Sequence, residues 1–330
     1  EAIGSRLAAP QDVFYFDLDT MACGDVLASN RSLLDFVGTS QEPRIVVIDE
    51  AQRLPNPGLL LKSVHDLHLP IKLLATGSSS LELRSRIRES LAGRRQTFHL
   101  WPLSPSEWLA YCQDEAAKGL RHYRMWGGYP AVARESDLAR RGAYLAELLR
   151  AYLDRDIEDF LRVERLDAFE GLLRLLARHA GQLVNLNEIA ATLQLSRDTV
   201  QRYLRYLQET FVVRVVPPFY RNLRSELTKM PKVYFADLGL RNLLAGELHP
   251  TIAPPAGPVD ENLVFVALLS LTAPETIRFW RTEGKAEVDF VVETNGDLVA
   301  VEVKAGSVAR PSVPPGMRRF VTTYAPKAAL

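Results

Sequence analysis

The sequence predicts a chain of mixed α/β class, and three patterns support that prediction. Short, continuously apolar strands alternate with helical segments over the first hundred residues. A run of helix, helix, turn, helix and strand follows in the middle of the chain. Near the C-terminus, the segments EVDFVVE and LVAVEVKAG flank the turn TNGD, which is typical of a β-hairpin.

The composition is that of an ordinary globular protein, with 47% hydrophobic and 24% charged residues among 330. This length favours two or three domains. Lys plus Arg equals Asp plus Glu, at 40 each, so net charge indicates neither nucleic acid nor an anionic membrane as a partner. The two cysteines have no metal-site spacing, and we find neither a signal peptide nor an apolar run of membrane-spanning length. We therefore expect a cytoplasmic protein with no membrane partner.

Residues 1–103 form the first of four predicted domains. Its predicted strands are Val13–Leu18, Ile45–Ile48, Ile71–Ala75 and Thr97–Trp101. Their hydrophobicity is continuous rather than alternating, which indicates strands buried on both faces. The first domain is therefore predicted to contain a parallel sheet.

The other three domains follow from changes of pattern. Residues 104–164 are predicted to be a helical lid or linker, interrupted by the turn WGGYP. Residues 165–230 have the element order of a winged helix-turn-helix. Residues 231–330 return to an α/β pattern.

The stretch IVVIDEAQRL contains the first candidate site. Four apolar residues run into Asp49 and Glu50, as in a Walker B strand, where the first carboxylate would hold Mg²⁺ and the second would polarise water. The alternative is an ordinary pair of surface carboxylates after a strand. The next strand ends in TGSSS, where Thr76 or Ser78 would contact a γ-phosphate as a sensor.

Two arginines precede the last predicted strand of this domain. Arg94 and Arg95 lie in SLAGRR, at a position where a neighbouring subunit's arginine finger would stabilise a transferring phosphoryl group. The alternative is a solvated loop. The first interpretation makes a homo-oligomer possible.

The motifs, taken in order, resemble a known family. VFYFDLD, VVIDEAQ, LLATGSSS, ESLAGRR, HLWPLSPSEW, GGYPAV, YLDRDI, QLVNLNEIA, TVQRYLRYL, PKVYFADLGL and EVDFVV…VEVKAG are similar to the prokaryotic AAA-type P-loop ATPases that carry a C-terminal domain of unknown function. The resemblance covers nearly the whole chain. It implies a P-loop NTPase-type sheet, ATP binding and dependence on Mg²⁺.

One motif of that family is absent from this sequence. The phosphate loop G-x-x-x-x-G-K-[ST] does not occur, and the one Gly-Lys pair, Gly284-Lys285, lacks the rest of the pattern. Because EAIGSRLAA resembles the helix after such a loop, we expect the loop to lie upstream, in the full-length parent. We also expect this chain to bind ATP poorly. Its sheet should then be incomplete, with an open edge between Ile71–Ala75 and Thr97–Trp101.

The predicted winged helix carries a candidate DNA-binding face. Val200, Leu204 and Leu207 recur at helical spacing and are predicted to pack inward. A second face carries residues suited to phosphates and base edges, which are Arg197, Gln201, Arg205 and Gln208. The arginines expected to form a basic wing are Arg214, Arg221 and Arg224. The alternative is a packing module, in which Arg202 would pair with Asp198.

The C-terminal hairpin carries a nuclease-like pattern. Asp289, followed by Glu302-x-Lys304 on the next strand, has the spacing of a PD-(D/E)XK nuclease core, in which the carboxylates would share a divalent metal. Glu261 on a preceding helix is the predicted fourth member. The alternative is ion pairing across an exposed hairpin.

These sites give one main functional hypothesis and two alternatives. The main hypothesis is an ATPase whose full-length form couples hydrolysis to a DNA or protein partner through its C-terminal half. One alternative is a DNA-binding or nuclease-like protein that uses the ATPase fold as a scaffold. The other is an interaction module in which both acidic sites are vestigial.

Overall fold

The computed structural model describes residues 12–19, 24–39, 42–77, 93–112, 115–154, 157, 163, 165–220, 230–249, 252–305 and 312–330. The chain divides into two compact units, residues 1–99 and residues 100–330. Both units contain helices and strands, so the predicted mixed α/β class is confirmed.

The first unit is built on a parallel sheet of three strands in the order β1-β2-β3. Its elements are β1 (Val13–Asp17), α1 (Asn30–Val37), β2 (Arg44–Asp49), α2 (Pro57–His65) and β3 (Ile71–Ala75). Both helices pack with one face of the sheet, where Phe16, Val46 and Ile48 are buried. On the opposite face Tyr15 is 46% exposed, so the sheet is not fully buried on both faces as predicted.

The predicted strand Thr97–Trp101 is not a strand in this structure, and that prediction is wrong. Residues 95–101 have no regular secondary structure, and Phe98 is 83% exposed. An apolar run forms a strand only beside a neighbour that accepts its backbone hydrogen bonds. In the described part of the sheet, β3 is an edge strand, as the expected open edge requires.

The second unit begins with helices. They are α3 (Pro105–Cys112), α4 (Ala116–Trp126), α5 (Pro130–Arg134) and α6 (Leu138–Ala151). Gly127 ends α4 with a φ of 73°, and Pro130 opens α5. The described part of residues 104–164 is thus mainly helical, as predicted.

The next elements have the predicted order of three helices and a strand. They are α7 (Leu166–Arg178), α8 (Leu186–Leu193), α9 (Arg197–Glu209), β4 (Val213–Val216) and β5 (Lys232–Phe235). Val200, Leu204 and Leu207 on α9 are buried, which confirms the predicted inward face. β4 and β5 pair in antiparallel register, although the predicted domain boundary after residue 230 separates them.

The C-terminal elements surround a four-stranded sheet in the order β6-β7-β8-β9. They are α10 (Leu238–Ala245), α11 (Pro258–Leu271), β6 (Ile277–Arg281), β7 (Glu287–Thr294), β8 (Asp297–Val301), α12 (Pro315–Tyr324) and β9 (Ala328–Ala329). Asn295 and Gly296 both have positive φ between β7 and β8, so the predicted hairpin is confirmed. α11 and α12 contribute to separate apolar clusters, through Phe265 and Phe320.

β5 is connected to several of these elements. The Gly181 N–H donates to the Val233 carbonyl at 2.9 Å, and Asn262 on α11 exchanges two hydrogen bonds with the backbone of Phe235. The segment after β4 reaches β6, where the Phe279 N–H donates to the Pro217 carbonyl at 3.2 Å. β5 is therefore shared by two modules of the second unit. The three-helix module consists of α7 to α9 with β4, and the C-terminal module consists of α10 to α12 with β6 to β9.

None of the helices in the described ranges is both long and apolar enough to cross a membrane.

Candidate functional sites

Asp49 lies at the carboxyl edge of the parallel sheet, where side chains from three strands converge. The Thr76 hydroxyl, just after β3, donates to Asp49 Oδ1, and the Tyr15 hydroxyl of β1 donates to Asp49 Oδ2. The Thr76 and Tyr15 hydrogen bonds favour the charged carboxylate and outweigh burial, so the pKa of Asp49 lies below its ordinary value. Asp49 is therefore an ionised carboxylate at neutral pH.

Glu50 follows Asp49 in an unusual backbone conformation. Its φ of 54° and ψ of 41° lie in the left-handed region, which residues with a Cβ seldom adopt and which is enriched at functional sites. The Ala51 N–H donates to the Thr76 carbonyl at 2.9 Å, which holds the turn against the end of β3. The Gln52 side-chain amide donates to the Glu50 carboxylate. Glu50 is thus held next to Asp49 by contacts on both sides.

The remaining predicted residues of this site have different locations. Ser78 lies outside the described residues. Arg94 pairs with Asp66 at 2.6 Å. Asp66 comes directly after α2 in the chain, whereas Asp49 comes before that helix. Because α2 leads back to the start of β3, Asp66 lies toward the opposite edge of the sheet from Asp49. Arg95 is exposed. Within one copy of the chain, neither arginine is shown at Asp49, so a role in a neighbouring subunit stays a prediction.

A second group of charged residues lies in the C-terminal module. A cleft of about 570 Å³ has among its lining residues the carboxylates of Glu261 on α11, Glu287 and Asp289 on β7, and Glu302 just after β8. Gly181 approaches Glu261 so closely that an added Cβ would lie 3.1 Å from its Oε2. The structure therefore brings the predicted Glu261, Asp289 and Glu302 together, and adds Glu287, which the sequence analysis missed.

Lys232, the first residue of β5, extends its ammonium group into this cluster. Lys232 Nζ lies 2.8 Å from Glu261 Oε1, 2.6 Å from Glu287 Oε1 and 3.9 Å from Asp289 Oδ1. Its side chain is only 3% exposed. Burial alone would lower the pKa of Lys232, but Glu261 and Glu287 outweigh burial and raise it. Lys232 is therefore a buried, fully charged residue.

The carboxylates of the cluster also have hydrogen-bond and ion-pair partners other than Lys232. The Tyr234 hydroxyl donates to Glu261 at 2.5 Å, and the Val303 N–H donates to Asp289 Oδ2 at 2.8 Å. Lys304, the predicted catalytic lysine, is 54% exposed and pairs with Glu302. Burial raises the pKa values of Glu261 and Glu302. Among the described residues, no group of three or more His, Cys, Asp or Glu side chains is arranged to hold a metal ion.

The predicted DNA-binding face lies on α9. Arg197, Gln201 and Arg205 are exposed, and the Ser196 side chain caps the start of the helix. The described residues show no ion pair with either Arg197 or Arg205, and Arg202 lies over the Tyr203 ring. Within the described ranges, these two arginines leave the face positively charged and accessible.

The predicted basic wing is only partly described. Arg214 pairs with Glu275 at 3.2 Å and lies over the Trp101 ring, so it is engaged within the unit. Arg221 and Arg224 lie outside the described residues.

Asp237 forms a buried contact that the sequence analysis also missed. Its carboxylate accepts the Gly128 N–H at 2.6 Å and caps α10 by accepting the Leu240 N–H at 2.8 Å. Burial raises its pKa to about 6. The sequence GGYPAV therefore packs against FADLGL, which gives both segments a structural role.

Three families match successive parts of the chain. Residues 1–109 match the family described as AAA domain. Residues 117–250 and 256–330 match two domains of unknown function, DUF8612 and DUF4143. The N-terminal match agrees with the AAA-type resemblance, and DUF4143 covers β6 to β9.

Relatives occur in bacteria and archaea. An uncharacterized protein of Mycobacterium tuberculosis is 31% identical over 285 residues, which cover 83% of this chain and 61% of that protein. An uncharacterized protein of Methanocaldococcus jannaschii is 23% identical over 290 residues, covering 82% of this chain and 64% of that protein. The chain thus spans less than two thirds of the length of these relatives.

Among solved structures, a mutant RuvB of Thermotoga maritima aligns over 62% of this chain and 73% of its own, at 21% identity. The TM-score is 0.27, which is too low for a shared fold to follow.

Proposed function

We propose that the gene product to which this chain belongs is an AAA-type ATPase. The observation that carries the proposal is the ionised Asp49 at the end of β2, bonded to Thr76 at the end of β3 and followed by Glu50 in a left-handed turn. The match of residues 1–109 to the AAA domain family supports it.

The residues fit the chemistry of such a site. Carboxylate and hydroxyl oxygens are the ligands that Mg²⁺ prefers, and bound Mg²⁺ would neutralise charge on the phosphates of ATP. Asp49 would hold the metal through water, Glu50 would orient the attacking water, and Thr76 would contact the γ-phosphate. Since the sequence holds no phosphate loop, the proposal concerns the whole gene product rather than these 330 residues alone.

Steady-state hydrolysis of ATP by the gene product tests this proposal. Glu50→Gln keeps the size of the side chain but removes the base, and we expect kcat to fall by roughly 100-fold or more while nucleotide binding persists. Asp35→Asn removes an exposed carboxylate on α1 and is the matched control. Equal hydrolysis by the Glu50→Gln variant and the control would refute the assignment.

A specific observation favours DNA as the partner of the C-terminal half. We infer that α7 to α9 with β4 and β5 form a winged helix-turn-helix, because the elements have that order and α9 exposes Arg197, Gln201 and Arg205 on one face. The arginines would contact phosphates, and Gln201 would reach a base edge.

Fluorescence anisotropy with duplex DNA tests the inference. The double variant Arg197→Ala/Arg205→Ala should weaken binding and lower the slope of log affinity against log salt by about 2, one per phosphate contact. The double variant Arg140→Ala/Arg174→Ala removes the same charge from exposed positions on α6 and α7. If both double variants bind alike, α9 is not the DNA-binding face.

A further inference from the structure

The carboxylate cluster of the C-terminal module has the residue types of a metal-dependent nuclease, but a buried ammonium group lies among its carboxylates. Lys232 Nζ contacts Glu261 and Glu287 at 2.8 and 2.6 Å and lies 3.9 Å from Asp289. A divalent cation needs its carboxylate oxygens at roughly 2.0–2.6 Å around one point. The buried ammonium group is bonded to Glu261 and Glu287 and lies beside Asp289, so it competes with a divalent cation for these carboxylates.

Two further hydrogen bonds engage carboxylate oxygens of the cluster. Glu261 also accepts the Tyr234 hydroxyl, and Asp289 accepts the backbone N–H of Val303. The lysine is held from another side by the Phe279 ring, whose centroid lies 5.4 Å from its nitrogen. Glu302 Oε2 is the member that is buried without a hydrogen-bond partner among the described residues.

Because Lys232 belongs to β5, its ion pairs connect two modules of the chain. The lysine belongs to β5, which pairs with β4 of the three-helix module, while Glu261 and Glu287 belong to α11 and β7. The ion pairs therefore connect a strand of the three-helix module to the helix and sheet of the C-terminal module.

We propose that Lys232 is the fixed cation of this cluster, which closes the position of a nuclease metal and ties β5 to α11 and β7. In this chain the nuclease-like module is a structural joint rather than a metal-dependent nuclease. The proposal depends on the geometry of the cluster and is independent of the ATPase assignment.

Titration of the unmodified chain with MnCl₂ is the first test, with bound metal followed by the paramagnetic resonance of free Mn²⁺. We expect the unmodified chain and the Asp289→Asn variant to bind Mn²⁺ alike, with no site that depends on Asp289. A stoichiometric site that Asp289→Asn abolishes would overturn the proposal, since it would show that the lysine leaves room for the metal.

Lys232→Met is the second test. Glu261 and Glu287 then lose a buried counter-charge and Asp289 a nearby one, and we expect the midpoint of thermal unfolding to fall by roughly ten degrees. Mn²⁺ should restore much of this loss in the variant, through Asp289 and Glu302, and leave the unmodified chain unchanged. An unaltered midpoint, or an equal effect of Mn²⁺ on both proteins, would contradict the proposal.

Two further variants complete the design. Lys304→Met removes the exposed lysine of the same motif and should change the midpoint little and create no Mn²⁺ site. If Lys232→Met does not fold, Lys232→Met/Glu261→Gln should recover folded protein, because Glu261 loses its ion pair with Lys232 whereas Glu287 keeps its contact with Arg281 at 3.3 Å. Failure of that double variant while Lys304→Met folds normally would show that Lys232 acts by packing rather than as a counter-charge.

Discussion

At the scale of single residues, Tyr15 contributes a hydrogen bond that orients the Asp49 carboxylate. Its hydroxyl donates to Asp49 Oδ2 from β1, on the other side of the carboxylate from Thr76. Tyr15 pairs with Val47 in the sheet register, so its side chain lies on the same face as Asp49, two residues further on. Thr76 and the Glu50 N–H hold Oδ1 while Tyr15 holds Oδ2, so the carboxylate is oriented from both sides.

Tyr15→Phe removes that donor without changing the ring. We expect the pKa of Asp49 to rise toward its ordinary value, because a hydrogen bond to the charged form is lost. In the gene product, the Mg²⁺ concentration for half-maximal hydrolysis should rise severalfold, with kcat at saturating Mg²⁺ little altered. A lower kcat at unchanged Mg²⁺ dependence would show that Tyr15 acts elsewhere.

The raised pKa of Asp237 predicts that the free energy of unfolding depends on pH. Its folded pKa of about 6 exceeds the ordinary 3.8, so the folded state binds the proton more tightly between those values. The contribution of Asp237 to the free energy of unfolding is therefore highest below pH 4 and falls, by about 3 kcal/mol in all, as pH rises through 6.

Asp237→Asn removes this titration, so the comparison isolates it from the other carboxylates. Chemical unfolding of both proteins should show the unmodified chain losing stability relative to the variant from pH 4 to pH 6. A difference that stays constant with pH, or one that grows in the other direction, would be the contrary outcome.

At the scale of elements, the residue pattern predicted the features that depend on interactions between residues close in sequence. The inward face of α9 follows from Val200, Leu204 and Leu207 at helical spacing, and the β7–β8 hairpin follows from Asn295-Gly296. The apolar segment Thr97–Trp101 shows the opposite case. Its residues favour a strand, but a strand also needs a pairing partner, and that requirement is not encoded within the segment.

The surroundings of Gly128 and Gly142 give opposite predictions about replacing glycine. A Cβ on Gly128 would overlap the Leu103 carbonyl oxygen, so Gly128→Ala should cost roughly 1–3 kcal/mol of stability. Gly142, inside α6, has room for a Cβ, whose nearest neighbour would be Leu248 at 3.7 Å. Gly142→Ala should therefore stabilise by roughly 0.5–1 kcal/mol. Thermal unfolding of both variants measures the two effects, and two shifts of the same sign would contradict the packing described here.

At the scale of the whole molecule, the sequence predicted sites that lie along one sheet edge or one hairpin. Asp49 and Thr76 were both assigned to a nucleotide site because each follows an apolar strand of the predicted parallel sheet. Lys232, Glu287 and Asp237 were not predicted, because each contacts partners far away in the sequence. Lys232 lies 29 residues before Glu261, and Asp237 lies 109 residues after Gly128. Such contacts depend on how whole modules pack, which periodicity and spacing do not reveal.

The two acidic sites therefore differ in their relation to a divalent cation. Asp49 is ionised and accepts hydrogen bonds from two hydroxyl groups, and under the proposed function it would hold a metal that arrives with a nucleotide. The cluster of Glu261, Glu287 and Asp289 already contains the charge of Lys232. The two proposals together assign a cation site to the first unit and a site already filled by a lysine to the second.

A crystal structure of the gene product with a non-hydrolysable ATP analogue and Mn²⁺, with the metal located by anomalous scattering, tests this account most directly. The account predicts an anomalous peak beside Asp49 and the γ-phosphate near Thr76, with no peak among Glu261, Asp289 and Glu302. A peak in the C-terminal cluster, with none beside Asp49, would contradict both the ATPase assignment and the role of Lys232.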